Sequence, residues 1–117
     1  MSDVQIKSVK TFAGLEWLIE EIENSLNAAF SELEIFTQNT SDETKIHFCI
    51  GHLHQIIGPF KILECEGCIL LVEEMEALTQ AIIDKKVSNI NEACEILVHA
   101  IVKLPIYLRQ ILSSRED

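Results

Sequence analysis

The chain has 117 residues, a length that suits one domain with one hydrophobic core, and 48% of them are hydrophobic, which argues against disorder. Its formal net charge of −10 at pH 7 argues against binding to nucleic acid or to anionic membrane surfaces, because both attract basic proteins. Only four glycines and two prolines are present, too few for the many tight turns of an all-β fold.

The first predicted helix covers residues 13–37. Its apolar residues recur at alternating steps of three and four, which is the spacing of one face of an α-helix. Glu20, Glu21 and Asn24 lie on the other faces and keep the helix soluble. The apolar stripe consists of Leu15, Leu18, Ile22, Leu26, Ala29, Leu33 and Phe36.

The second predicted helix covers residues 41–63 and follows a polar break. Thr40, with Glu43 three residues later, has the spacing of a capping box at its start. Pro59 lacks a backbone N–H group and its ring clashes with the preceding turn, so we expect the helix to falter near this residue. The buried side is predicted to consist of Ile46, Ile50, Leu53, Ile57 and Phe60.

The third and fourth predicted helices cover residues 67–86 and 89–112. Two lysines at the end of the third helix place positive charge at the negative end of the helix dipole. Asn89 with Glu92 forms a second cap pair, and Pro105 is expected to bend the fourth helix. The apolar positions are Cys68, Leu71, Met75, Leu78 and Ile82 in the third helix, and Ile90, Ala93, Leu97, Ile101, Leu104, Leu108 and Ile111 in the fourth.

Four apolar stripes joined by short connections predict an all-α fold, an antiparallel up-down four-helix bundle. We expect a single domain over residues 1–117 with its core at about 13–112, and a short N-terminal helix or turn around Val4–Phe12 that packs across one end. The sequence has neither the apolar core of a secretion signal nor a run near the roughly 18 apolar residues of a membrane span. These features predict a cytoplasmic protein without membrane insertion.

The four cysteines are expected to be reduced thiols, because nothing in the sequence indicates export. Cys65 and Cys68 have the spacing of a redox motif, but the βαβ context of such motifs is missing. A zinc site would need about four ligands, and no second pair of ligands has a convincing spacing. We therefore predict that Cys68 packs in the core and Cys65 lies at a corner, with neither a bound metal nor a structural disulfide. The other residues considered as zinc ligands are Cys49, His47, His52 and His54.

One face of the second helix carries polar residues and glycines, since residues three, four and seven apart share a face. His54 has Gly51 one turn before it and Gly58 one turn after it. A glycine inside a helix costs about 0.5–1 kcal/mol relative to alanine, so two of them beside one histidine indicate a purpose. They either keep the imidazole accessible to a bulky partner or permit close contact between helices. The polar strip consists of His47, Gly51, His54, Gly58 and Lys61.

The sequence HQIIG at residues 54–58 resembles the His-x-x-Lys-Gly motif of histidine-containing phosphotransfer (Hpt) domains, which are four-helix bundles with a solvent-facing histidine. The histidine and the glycine match, whereas Ile57 stands where the family has lysine. A wider resemblance, over about residues 13–112, is to the N-terminal module of chemotaxis-type histidine kinases that govern type IV pili and twitching motility. Its most specific part is HLHQIIGPFKILECEGCILLVEEMEAL at residues 52–78.

The resemblance implies that the chain is the N-terminal fragment of a larger signalling kinase in a two-component phosphorelay. His54 is then the phosphorylated nucleophile, and its partners are response-regulator receiver domains and the catalytic domain of a histidine kinase. The module needs no cofactor or metal and holds no complete catalytic site of its own. The expected partner-docking face consists of His47, Gly51, Gln55, Gly58 and Lys61.

Two alternatives stay open beside phosphotransfer. Ile57 replaces a lysine that is thought to contact the phosphoryl oxygens, which favours a non-phosphorylated Hpt-like scaffold that docks a partner through the same face. In the phosphotransfer interpretation Lys61, one turn further along that face, supplies positive charge less closely. The other alternative is a plain helical bundle in which His54 has no special role.

Overall fold

The computed structural model describes residues 12–116, with side chains from 13 to 115. Within this range the chain forms helices and no strand, which confirms the predicted all-α class. The turn predicted before Phe12 lies outside the described residues. The helices are α1 (Phe12–Gln38), α2 (Thr44–Gln55), α3 (Ile57–Ile62), α4 (Glu66–Ile83) and α5 (Ile90–Glu116).

The helices pack around one core. α1 packs against α2 and α5, and α4 also packs against α2 and α5, so these four form a closed ring, while α3 packs against α2 and α4. α1 and α5 have 27 residues each, about 40 Å at a rise of 1.5 Å per residue, and they set the longest dimension of 46 Å. The largest fully buried side chains include Ile22, Leu26 and Leu33 on α1, Ile46 and Leu53 on α2, Phe60 on α3, Val72 on α4, and Leu97, Leu104 and Leu108 on α5.

The buried face of α4 differs from the sequence prediction in two of its turns. Val72 and Thr79 are buried, whereas Leu71 and Leu78 are half-buried. The hydroxyl of Thr79 donates a hydrogen bond of 2.7 Å to the carbonyl oxygen of Met75, so this buried polar group is satisfied. The stripes predicted for the first and fourth helices are confirmed, with half-buried residues at their ends, namely Leu15, Ile90 and Ile111.

The start of α2 is capped by a residue other than the predicted one. The backbone N–H of Thr44 donates a hydrogen bond of 3.2 Å to the carboxylate of Asp42, and the helix begins at Thr44. The predicted capping box of Thr40 and Glu43 is wrong, because the helix begins three residues after the predicted start and its N-cap residue, Glu43, makes no side-chain capping hydrogen bond. The predicted cap at Asn89 is confirmed, since its side-chain oxygen accepts a 3.0 Å hydrogen bond from the N–H three residues later.

The second predicted helix is divided into α2 and α3 by a break at Ile56. A proline cannot donate to the carbonyl four residues earlier, and for Pro59 that carbonyl belongs to Gln55, the last residue of α2. The N–H of Ile56 bonds to the carbonyl of Leu53 at 3.3 Å, three residues back rather than the four of an α-helix. The predicted faltering near Pro59 is confirmed, and it falls about one turn before the proline.

Two helix ends place a residue other than glycine in the left-handed region. Glu64, after α3, has a φ angle of 56°, and Lys85, after α4, has a φ angle of 58°. The second of these turns follows the end of α4, which lies at Ile83 rather than at the predicted residue 86. At the first of these corners the carbonyl oxygens of Leu63 and Glu64 accept hydrogen bonds of 2.6 and 2.7 Å from the guanidinium of Arg115. This rigid fork of donors fastens the end of α5 to the corner between α3 and α4.

α5 is the one helix among the described residues that is long and apolar enough, over Ile90–Arg115, to cross a membrane by length and composition. The expectation that no segment comes near this threshold therefore does not hold for α5. Core helices of soluble proteins that are mostly buried also have this length and composition, whereas 22% of the most apolar stretch of α5 is buried. One face of α5 packs in the core through Leu97, Leu104 and Leu108, so the test is a weak indication of a membrane span.

Candidate functional site

His54 lies in the last turn of α2 with its side chain 75% exposed. The predicted exposure of the polar strip is confirmed along its whole length, whereas the predicted buried stripe of this helix differs at Ile50 and Ile57. Ile50 and Ile57 are half-buried between the two faces, and Cys49 and Ile56 are fully buried beside them. The exposed strip consists of His47, Gly51, His54, Gly58 and Lys61, and Gln55 next to it is also exposed.

Gly51 and Gly58 border open space. A Cβ atom placed on either glycine would meet no atom within 4 Å outside its own stretch of helix, so close contact between helices does not explain them. Neither has a positive φ angle. Gly58 has a local reason, because a Cβ just before Pro59 disfavours the helical conformation. No such reason applies to Gly51, and the effect of both is to leave the imidazole of His54 unshielded along its helix.

A carboxylate on α4 contacts the imidazole of His54. Its Nδ1 atom lies 3.2 Å from Oε1 of Glu76, whose side chain is 22% exposed. Glu76 directly follows the buried Met75, and its carboxylate spans the seam between α2 and α4. Glu76 is absent from the sequence prediction because nothing in the local sequence relates it to a histidine 22 residues earlier.

The contact with Glu76 selects one form of the imidazole ring. An ionised carboxylate only accepts hydrogen bonds, so Nδ1 of His54 carries the hydrogen and donates it. The lone pair of the neutral ring then resides on Nε2, the nitrogen that is free to react. Glu76 thereby orients the ring, and its negative charge stabilises the positive charge that the ring acquires when Nε2 forms a bond.

No cation accompanies this pair in the part of the chain that the structure describes. Glu76 is the only hydrogen-bond or ion-pair partner of His54 there. Ile57, where the Hpt motif has lysine, packs against the core. Lys61 is exposed on α3 and makes no ion pair with any described residue. Among the described residues, the site therefore consists of an imidazole and a carboxylate with no positive charge in contact with them.

Cys65 and Cys68 are joined by a disulfide, so the prediction of free thiols at these positions is wrong. Cys65 directly precedes α4 and Cys68 lies in its first turn, with their Cα atoms 5.4 Å apart. A disulfide can close over this distance without movement of the backbone. Both residues are buried, Cys65 at the predicted corner and Cys68 in the core. The described residues contain no group of three or more side chains that could hold a metal ion.

Cys49 and Cys94 are free thiols in the core. Burial, together with the nearby Cys94 and Glu32, raises the pKa of Cys49 to about 12. Burial also raises the pKa of Cys94. Since the thiolate is the reactive form of cysteine, both side chains behave as small apolar groups at neutral pH and not as nucleophiles.

No protein-family model, curated protein or solved structure that was compared with the chain matches it. The candidate site is therefore defined by the arrangement of its residues in the structure. It consists of an exposed histidine at the end of α2, open space on both sides of it along the helix, and a carboxylate from α4 on its Nδ1 atom.

The Gly51→Ala substitution should raise the free energy of unfolding by about 0.5–1 kcal/mol, because alanine loses less backbone entropy in a helix and its Cβ meets no neighbour. Gly58→Ala is the matched comparison and should not stabilise, since it precedes Pro59. Chemical denaturation measures the free energy of unfolding of both variants. A loss of stability in Gly51→Ala would mean that this glycine is needed for packing.

The stability of the fold should decline above pH 9 through Cys49. Its pKa is 9.0 in the unfolded chain and about 12 in the folded one, so between these values only the unfolded chain releases the proton. One such group lowers the free energy of unfolding by ~1.4 kcal/mol per pH unit in that window and has no effect below it. Urea denaturation from about pH 7 to 11 measures the slope. Cys49→Ala should reduce it, and an unchanged slope would contradict the assignment.

Proposed function

We propose that the chain is an Hpt-like phosphotransfer domain, built as an antiparallel up-down four-helix bundle, in which His54 is the phosphorylated residue. The observation that carries the proposal is the His54–Glu76 pair, an imidazole on an open helix face that a carboxylate of the neighbouring helix holds in one tautomer. The sequence resemblance supplies the proposed setting. It is a cytoplasmic two-component phosphorelay that controls pilus motility, with this chain as the N-terminal module of a larger kinase.

Contacts between helices support the up-down arrangement. Lys45, in the first turn of α2, pairs at 3.7 Å with Glu32 near the end of α1. Lys85, just after α4, pairs at 3.4 Å with Glu43, just before α2. The first turn of α4 approaches the hydroxyl of Tyr107, in the second half of α5. In each case the start of one helix lies beside the end of its neighbour, as expected for antiparallel helices.

In the proposed first step, Nε2 of His54 attacks the γ-phosphorus of ATP bound to a kinase catalytic domain. An N–P bond forms, the bond between phosphorus and the bridging oxygen breaks, and ADP leaves with the electron pair. The proton stays on Nδ1, where Glu76 stabilises the positive charge. In the second step a carboxylate of a receiver domain attacks the phosphorus, the N–P bond breaks, and its electrons return to Nε2.

The proposed chemistry requires few catalytic groups from the domain itself. Phosphoryl transfer depends mainly on positioning and on neutralisation of charge, which a metal ion and a lysine of the partner can supply. The lack of a cation beside His54 fits that division of labour. The face around His54 serves as the docking surface, since Gly51 and Gly58 leave room for a partner to bring phosphorus to Nε2. Gln55 and Lys61 are the exposed side chains at its edges.

One observation favours a second function, a docking module that is not phosphorylated. Ile57 is half-buried against the core, so the position that holds lysine in the Hpt motif offers no charge to a phosphoryl group. In this alternative the same face binds a partner by shape, and the His54–Glu76 pair contributes hydrogen bonds only. Phosphorylation of His54 distinguishes the two functions.

The His54→Gln variant should incorporate no phosphate when it is incubated with ATP and the catalytic core of its kinase. The wild-type chain should gain phosphate that is labile in acid and stable in base, as expected for phosphohistidine. Because His54 is exposed, the substitution should change the free energy of unfolding by less than about 0.5 kcal/mol. Full phosphate incorporation in His54→Gln, or none in the wild type, would leave the docking module as the function.

The Glu76→Gln variant should be phosphorylated roughly 10–100-fold more slowly, because an amide neither fixes the Nδ1–H tautomer nor stabilises a charged ring. Glu73→Gln, an exposed position on the same helix, is the control and should retain the wild-type rate. Single-turnover kinetics with radiolabelled ATP give both rates. Equal rates for the two variants would remove Glu76 from the mechanism.

The Ile57→Lys variant should speed phosphoryl transfer from His54 to a receiver without changing the fold. A lysine can lay its apolar stem along the core and keep its ammonium group in water beside the site. Val98→Lys is the control, because Val98 is also half-buried but lies on α5, diagonally across the ring of helices from α2. Rapid-quench measurement of transfer distinguishes them. Equal behaviour of both variants would show that a cation at this position does not limit the reaction.

A further inference from the structure

A groove runs along the seam between α1 and α5. Its volume is about 510 Å³, and its lining extends on α1 from Glu20 to Phe30, roughly 15 Å at the rise of an α-helix. Leu26 and Ile101 are buried and form an apolar floor. A length of three helical turns over an apolar floor is what a helix needs in order to dock between two others.

Two features of α1 and α5 explain why the seam between them is open. α1 packs much more closely against α2 than against α5, although α1 and α5 are the longest helices. Pro105 lies inside α5 and lines the groove, and it provides no N–H for the carbonyl of Ile101 four residues earlier. The groove is therefore a gap between two helices of the bundle and not a pocket enclosed by loops.

Large apolar side chains extend from the groove into solvent. Val102, on its α5 wall, is 53% exposed, and Ile106 one turn later is 57% exposed. Trp17 is 59% exposed on α1, one turn before Glu20. Val102 and Ile106, four residues apart, share one face of α5 and continue the apolar floor towards solvent, as expected at a contact surface.

The two charged side chains among the described residues that line the groove are both acidic, and the guanidinium of Arg109 contacts one of them. Glu20 and Glu23 stand on its α1 wall. Arg109 donates from Nη2 to both carboxylate oxygens of Glu23, at 3.2 and 3.3 Å, while Glu20 has no ion-pair partner among the described residues. With a net charge of −10 on the whole chain, a partner that enters this groove gains from positive charge.

We propose that the α1–α5 groove binds a cationic amphipathic helix of a partner protein. The apolar side of that helix covers Val102 and the floor, and its lysine or arginine residues lie beside Glu20, which has no ion-pair partner among the described residues. The site is independent of the proposed phosphotransfer. His54 and Glu76 lie on the seam between α2 and α4, on the opposite side of the ring of helices, so both surfaces can be occupied together.

The test is a titration of the full chain with a synthetic peptide of about 14 residues, with leucine on one helical face and lysine on the other. Calorimetry gives the affinity, and methyl NMR locates the site. Binding should weaken as salt rises, and the largest shifts should fall on Leu26, Ile101 and Val102. A peptide of the same composition in scrambled order, without an apolar face, should bind at least about tenfold more weakly.

Two variants on α5 form a matched pair. Val102→Lys should weaken binding by at least about tenfold, because it places a cation on the apolar wall. Ile96→Lys should leave the affinity unchanged, since Ile96 is equally exposed, at 55%, but lies outside the groove. His54→Gln should also bind normally. Equal effects of the two lysine variants, shifts centred on His54, equal binding of the scrambled peptide, or no binding would each overturn the proposal.

Discussion

The missing backbone donor of Pro59 is the constraint on which the geometry of the site depends. Because the proline nitrogen carries no hydrogen, the carbonyl of Gln55 loses its helical partner and α2 ends there. The chain continues as α3 for six residues and then turns at Glu64, in the left-handed region, into α4. The end of α2 consequently lies beside the middle of α4, where the carboxylate of Glu76 reaches the ring of His54.

Among the described residues, the candidate site contains a negatively charged carboxylate and no positively charged side chain. Glu76 lies against Nδ1 of His54, whereas Ile57, one turn later along the chain, is apolar and half-buried against the core. A phosphoryl group is itself negative, so in the proposed transfer the counter-charge has to arrive with the partner. In the proposed transfer, a chain with a net charge of −10 therefore relies on its partner for the positive charge.

The two seams of the bundle differ in how they are closed. The α2–α4 seam is bridged by the His54–Glu76 hydrogen bond, and the glycines of α2 keep the surface above it free of side chains. The α1–α5 seam is left open over an apolar floor, with Arg109 and Glu23 as its one cross-link among the described residues. One surface carries an exposed imidazole and the other carries apolar area beside acidic side chains, so they suit partners of different chemistry.

The sequence by itself determined the helical class, the buried stripes of the first and last helices, and the exposure of the strip that contains His54. These properties are local, since a period of 3.6 residues decides which side chains of one helix share a face, and Pro59 weakens its own helix wherever it stands. Only the tertiary structure decided that Glu76 meets His54 and that α4 buries Val72 rather than Leu71. Both depend on the rotation of each helix about its axis, which packing against neighbouring helices selects and which no local period specifies.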